Sequence, residues 1–153
     1  VNPVTVPISI EQCLGAVLAR WAYCDSVRCG QNQSEDVHEI TVRLRLSGQR
    51  EGFLFLGMSR ALVLQISANM TGSSELGIEY DVACEFANLV CSAWLQEVRL
   101  ATGWWQLRSE PPSIVSSAMW PKVEPYVAGS VLALETKVMC KVWLRDPLVE
   151  PGS

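Results

Sequence analysis

From Val82 to Leu100 the chain is apolar at most positions, with Val82, Phe86, Val90, Trp94 and Val98 among the larger side chains. At about 100° per residue, the polar exceptions Asp81, Glu85 and Asn88 fall within roughly 60° of one another. Ser92, Gln96 and Arg99 prolong the same line. A surface helix ordinarily has a broad polar face and a narrower apolar stripe. Here the proportions are inverted, which predicts a helix over 79–102, closed by Gly103, that is buried except for one thin polar seam.

Elsewhere the pattern changes period. Ser9 can cap a helix running to Tyr23, with Ile10, Leu14, Val17, Leu18 and Trp21 on one side. Polar residues from Gly30 to Asp36 read as a loop. Ile40, Val42, Leu44 and Leu46 then alternate with Thr41, Arg43 and Arg45, as a half-buried strand does. A turn over Ser47–Gly52 leads into a second strand, Phe53–Leu56. Ser59 opens a shorter helix to Met70, stopped by Gly72. After the long helix, Trp104–Ser109 reads as a strand ended by Glu110-Pro111-Pro112, since proline has no donor for a ladder. The stretch Ser113–Val127 reads as irregular, and strands over 131–135 and 138–144 turn at Thr136-Lys137.

Strands joined by hairpins need no parallel crossovers. The expected fold class is therefore α+β, a largely antiparallel sheet packed with the long helices. Each half runs from a helix to a strand pair, a weak two-fold pattern. The opening helix has Glu11, but Leu14 stands three residues on, so the Glu-x-x-Asn pair occurs once.

The 153 residues fit one domain over 1–153, with a core large enough to need no staples. Hydrophobic residues make up 49 % and charged residues 18 %, which argues against disorder. A net charge of -4 with no basic cluster makes nucleic acid a poor partner. No apolar run approaches the roughly 20 residues that span a membrane, and no signal peptide opens the chain. Cys13, Cys24, Cys29, Cys84, Cys91 and Cys140 lack metal-ligand spacing, and His38 is the only histidine. They read as reduced thiols in a cytoplasmic protein, with no metal held by this chain.

The seam has chemistry suited to one task. A carboxamide offers donor and acceptor groups without titrating, so it can hold a water in one orientation. Phosphoryl transfer depends mainly on placing water and stabilising charge. A carboxylate one turn away suits pairing with a lysine on whatever presents the phosphoryl group. With no triad, no base-orienting histidine and no phosphate-cradling glycine loop, the seam does not read as a self-contained hydrolase. The bland reading of Glu85 and Asn88 is the wet side of an amphipathic helix; the narrowness of the seam and its small flanks Cys84, Ala87 and Cys91 weigh against it.

The pattern Asp81-x3-Glu85-x2-Asn88-x22-Pro111 resembles the signature of the CheC/CheX/FliY chemotaxis phosphatases at each fixed position. Gly48 and Gly52, the helix closing on Gly72 and the final strand pair are similar as well. One motif in a chain of this length resembles the CheX type. The resemblance implies a pseudo-two-fold CheC-like architecture, a homodimer built through a sheet edge, and a phosphorylated CheY-like receiver domain as partner. It implies that Asn88 orients the attacking water at the receiver's aspartyl phosphate and that Glu85 pairs with the receiver's active-site lysine. Asp81 and Ser92 would support partner binding, Pro111 would shape a loop, and Mg²⁺ would sit on the receiver, with no cofactor on this chain. Two features depart from the pattern: Thr136-Lys137 where relatives commonly place a glycine, and the bulky Met119-Trp120-Pro121, which bears on partner choice. Two other readings compete: a receiver-binding module that hydrolyses nothing, which has no need of Asn88, and a purely structural domain, which leaves the motif to chance.

Overall fold

The structure is a computed structural model describing residues 9–29, 38–72 and 77–145. Ser9 caps α1 (Ile10–Trp21), its hydroxyl accepting from the Gln12 amide at 3.3 Å. The strands follow as β1 (Ser26–Arg28), β2 (Ile40–Ser47) and β3 (Glu51–Met58). Two helices come next, α2 (Arg60–Thr71), capped by Ser59 and closed by Gly72, and α3 (Glu79–Thr102). The described residues end in β4 (Arg108–Ser109), β5 (Ser113–Val115), β6 (Val127–Ala133) and β7 (Thr136–Arg145), with a 3-10 turn at Ser117–Met119. The loop read over Gly30 to Asp36 lies outside the described residues.

All seven strands form one sheet in the order β1-β6-β7-β3-β2-β4, with β5 also on β2, and all its pairings are antiparallel. The α+β class read from the sequence is the one observed. The two-fold pattern takes a specific form. Hairpins β2–β3 and β6–β7 meet at the centre, and each is flanked by the edge strand of the other half: β1 pairs β6, while β4 and β5 pair β2. Helix α1 packs over β6, β1 and β7, and α3 over β2 and β5, so the two helices share one face of the sheet and touch each other.

Strand periodicity explains the two faces. Leu44, Leu46, Leu54, Leu56, Val138, Cys140 and Val142 point at the helices and are buried. The alternate positions Phe55, Met139 and Trp143 form a smaller cluster on the opposite face, closed by Trp120. Trp120 packs on Phe55 with ring centroids 5.3 Å apart, and its indole N–H donates to the Thr41 hydroxyl at 3.1 Å. Trp120 is only 1 % exposed, so it serves the core and is not offered to a partner. This corrects the sequence reading for Trp120; Met119 beside it is exposed. Replacing Thr41 by Val would keep the shape but strand the indole N–H, at a cost of about 1–3 kcal/mol. The expected drop in melting temperature is about 2–4 °C per kcal/mol in a domain of this size. An unchanged thermal transition would contradict that role.

Other expectations shift at element edges. The final hairpin turns at Leu134-Glu135, not at Thr136-Lys137, and both turn residues have positive φ (51° and 63°). Only Arg108–Ser109 of the stretch Trp104–Ser109 is strand; the residues before it form a turn. Part of the segment read as irregular pairs with β2 as β5, and β1 was not foreseen. Trp21 is 46 % exposed with Arg20 stacked over its ring at 5.7 Å, because α1 buries only Ile10, Cys13, Leu14, Val17 and Leu18.

The tightest of the close approaches that dictate a glycine is at Gly52. A Cβ built on Gly52 would stand 1.7 Å from the Trp143 carbonyl oxygen across the β3–β7 pair, so no other residue fits there without moving the strand.

Candidate functional site

Helix α3 is anchored by Val82, Ala83, Phe86, Ala87, Val90, Cys91, Trp94, Leu95 and Val98, all buried. That wide apolar face fixes its rotation about its axis and therefore decides which residues meet solvent. Asp81, Glu85, Ser92 and Gln96 are exposed, and Asn88 is half-buried. The polar line expected from the sequence faces solvent, but the exposed side is broader than a thin seam: Tyr80, Glu97 and Leu100 are exposed too, and Cys84, Leu89 and Ala93 are half-buried. Glu85 and Asn88 are three residues apart, and Asp81 and Glu85 four, spacings at which side chains on a helix are neighbours about 5–6 Å apart at Cβ. Among the described residues neither Glu85 nor Asn88 has an intramolecular hydrogen bond or ion pair. Both are open to an external group.

The two ends of α3 differ. Glu79 and Asp81 lie in its first turn, where carboxylates complement the unsatisfied amides and the positive end of the helix dipole. At the other end Gly103 caps in the left-handed region (φ 75°), its amide donating to the Arg99 carbonyl at 2.9 Å. The Arg99 guanidinium donates twice to the Leu107 carbonyl, at 3.0 and 2.5 Å. Arg99 is therefore spent on holding the turn after α3, and the available part of the seam stops at Gln96.

Pro111 is exposed and lies between β4 and β5, in a bulge of the edge strand. Leu46 pairs Ser109 and Arg43 pairs Ser113, so three residues of one strand face two of the other. Two prolines fit there because their missing donors are not needed, and the Glu110 amide and carboxylate hold Arg45 at 2.8 and 3.6 Å, through its carbonyl and guanidinium respectively.

A groove that no sequence pattern signals lies beside the seam. Ser9, Gln12, Cys13 and Ala16 of the α1 side and Ala93, Gln96 and Glu97 of α3 enclose about 420 Å³. It exists because two helices far apart in the sequence, α1 and α3, lie together on one sheet face, which no local pattern reveals. A second cleft of about 410 Å³ opens on the other sheet face, over Phe53 and Trp143 between Arg45 and Arg145.

The cysteines do not form a reactive centre. All six are free. Burial pushes the Cys91 thiol up to about 12 and Cys13 to about 11, and Cys140 is raised well above its ordinary value. Cys84, beside the seam, is raised by burial and by the neighbouring Asp81. Among the described residues no group of three or more His, Cys, Asp or Glu is placed to hold a metal ion. No described helix is long and apolar enough to cross a membrane.

These thiols make a pH prediction. A thiol whose folded pKa lies above its unfolded value stabilises the fold fully below the unfolded value, about 9, and that stability is lost as pH rises toward 11–12. Denaturant midpoints are expected to be flat across neutral pH as far as these groups are concerned and to fall above about pH 9. A Cys91→Ala, Cys140→Ala double variant should show a shallower alkaline fall; an identical one would contradict the assignment.

No family model matches the sequence, and no curated protein matches it either. Solved structures do match in fold. The chemotaxis protein CheX from Vibrio vulnificus superposes with a TM-score of 0.75 at 17 % identity, over 95 % of this chain and 100 % of that one. CheX in a CheX–CheY–BeF3–Mg complex from Borrelia burgdorferi gives 0.66 at 12 % identity, over 90 % of this chain and 96 % of that one. FliY from Thermotoga maritima gives 0.58 at 16 % identity, over 90 % and 85 %.

Proposed function

We propose that this chain, which has the fold of the CheX, CheC-like and FliY structures, is a phosphatase for the aspartyl phosphate of a CheY-like receiver domain. The observation that carries the proposal is the pair Glu85 and Asn88, one turn apart and unengaged on the solvent-facing side of α3. A chain of this fold bound to CheY in the Borrelia burgdorferi complex supports a receiver as partner.

In the proposed reaction, α3 lies across the receiver's phosphorylation site. The Asn88 carboxamide holds a water in line with the phosphorus, its oxygen accepting a hydrogen bond from one water O–H and leaving an oxygen lone pair directed at the phosphoryl group. The P–O bond to the aspartyl carboxylate breaks as the bond to water forms, releasing phosphate and restoring the carboxylate, and the water's proton leaves with phosphate or to solvent. Glu85 pairs with the receiver's active-site lysine and fixes the register of α3. Asp81 and Ser92, on the same strip, contribute to partner binding. Mg²⁺ held by the receiver supplies charge neutralisation at the phosphoryl oxygens, and this chain contributes no cofactor. Free thiols throughout suit a cytoplasmic setting.

The proposal extends to a homodimer through a sheet edge. Strand β1 is an outer edge, and Val27 on it is exposed beside exposed Leu132 and Leu134. An edge of that kind is a ready template for pairing with a second chain. Sedimentation at micromolar concentration should report a dimer that Val27→Lys weakens; a monomer would contradict it.

The test of the function is to follow phosphate loss from a panel of phosphorylated receivers with and without this protein. Acceleration for at least one receiver is expected. If a receiver binds and its phosphate persists at the spontaneous rate, the chain is a docking module.

A further inference from the structure

We propose that the groove between α1 and α3 is the second half of the receiver-docking surface, seating a receiver loop that carries a basic side chain; this rests on the function proposed above. The groove is continuous with the seam. Ser92 and Gln96 lie one turn apart on the strip that carries Glu85, and Gln96 is itself a wall of the groove. Ala93 and Gln96 stand five and eight residues beyond Asn88, about 8 and 12 Å along the helix axis. A partner domain of about 120 residues has a radius of gyration of about 14 Å, so one centred on Asn88 covers the groove as well.

Interface size points the same way. A stable complex buries about 800 Å² on each partner, contributed by about 20–30 residues. The five seam side chains Asp81, Glu85, Asn88, Ser92 and Gln96 fall far short of that, so the contact must spread beyond them. The seam runs without a break into a concavity of about 420 Å³ formed by the neighbouring helix.

The lining selects the occupant. Ala16, Ala93 and Cys13 are small and let a backbone or side chain sink between the helices, while Gln12, Gln96 and Ser9 offer hydrogen bonds. Glu97, exposed on the rim, gives the groove its one formal charge, complementary to a lysine or arginine. Glu97 lies twelve residues beyond Glu85 on α3, about 18 Å along the axis, so the two carboxylates are set to meet different cations of the same partner.

Two variants test this in the intact chain. Ala16→Trp fills the groove from an exposed position on α1, and Glu97→Lys reverses its charge on the surface of α3. Each is titrated with a receiver carrying beryllofluoride and Mg²⁺, and its single-turnover rate is read at saturating protein. Each is expected to weaken binding about tenfold, with the saturated rate unchanged because neither residue meets the phosphoryl group. Wild-type affinity in both variants would overturn the groove while leaving the seam's role intact. A wild-type chain that binds receivers without speeding phosphate loss would overturn the phosphatase reading while these affinities still decide the groove. Binding to no receiver at all would overturn both, and a second copy of this chain displaced by Ala16→Trp would assign the groove to self-association instead.

Discussion

Replacing Asn88 by Ala is expected to lower the saturated rate of aspartyl-phosphate hydrolysis about 100-fold, with receiver affinity within about twofold of wild type. The separation follows from where the carboxamide acts. A water held in line contributes chiefly as the transition state forms, when the phosphoryl group is between two oxygens and the protein's contribution is placement. In the bound ground state the same carboxamide makes one solvent-replaceable hydrogen bond. Asn88 is half-buried on α3, one turn from Cys84 and from Cys91. The substitution leaves the core intact, since Asn88 is absent from the apolar face that anchors α3, and a stability change within about 0.5 kcal/mol is expected. Single-turnover rates at saturation, beside affinities for a beryllofluoride-bearing receiver, measure the two effects separately.

Glu85→Lys should do the opposite, weakening association about 100-fold, while Glu85→Ala weakens it about tenfold. The alanine variant removes the partner of the receiver's lysine; the lysine variant sets two ammonium groups against each other at the same place. Because Glu85 is exposed in the free chain, its charge is well solvated there and neither substitution should alter the melting temperature appreciably. Raising salt should narrow the gap between wild type and Glu85→Lys, since the contact is screened over about 8–10 Å at 0.10–0.15 M ionic strength. Equal affinity for the two variants would show that Glu85 faces no cation.

How far the fold was legible depends on how local its determinants are. The bounds of α3 were readable because the 3.6-residue period persists over 24 residues and a left-handed Gly103 ends it. Strand β2 was readable from its strict alternation. The final hairpin turn was misplaced because Leu134 and Glu135 take positive φ without the glycine or asparagine that usually marks such a turn. Strands β1 and β5 are three residues each and acquire their identity only by pairing with β6 and β2, contacts far away in sequence. Trp120 looked like a loop residue free to meet a partner, since nothing near it signals that the opposite sheet face holds a pocket for an indole. The polar line Asp81, Glu85, Asn88, Ser92 and Gln96 was visible because it is a local pattern, while the exposure of Tyr80, Glu97 and Leu100 beside it depends on how α3 packs. The groove beside it was invisible, because it is made by α1 and α3 together.

The central claim is that the strip bearing Glu85 and Asn88 accelerates hydrolysis as well as binding. It is tested most directly by the single-turnover decay of a phosphorylated receiver at concentrations of this protein that saturate it. The account predicts decay far faster than the spontaneous rate, falling back toward that rate with Asn88→Ala while the complex persists. Saturated binding with decay at the spontaneous rate in the wild-type chain would contradict it.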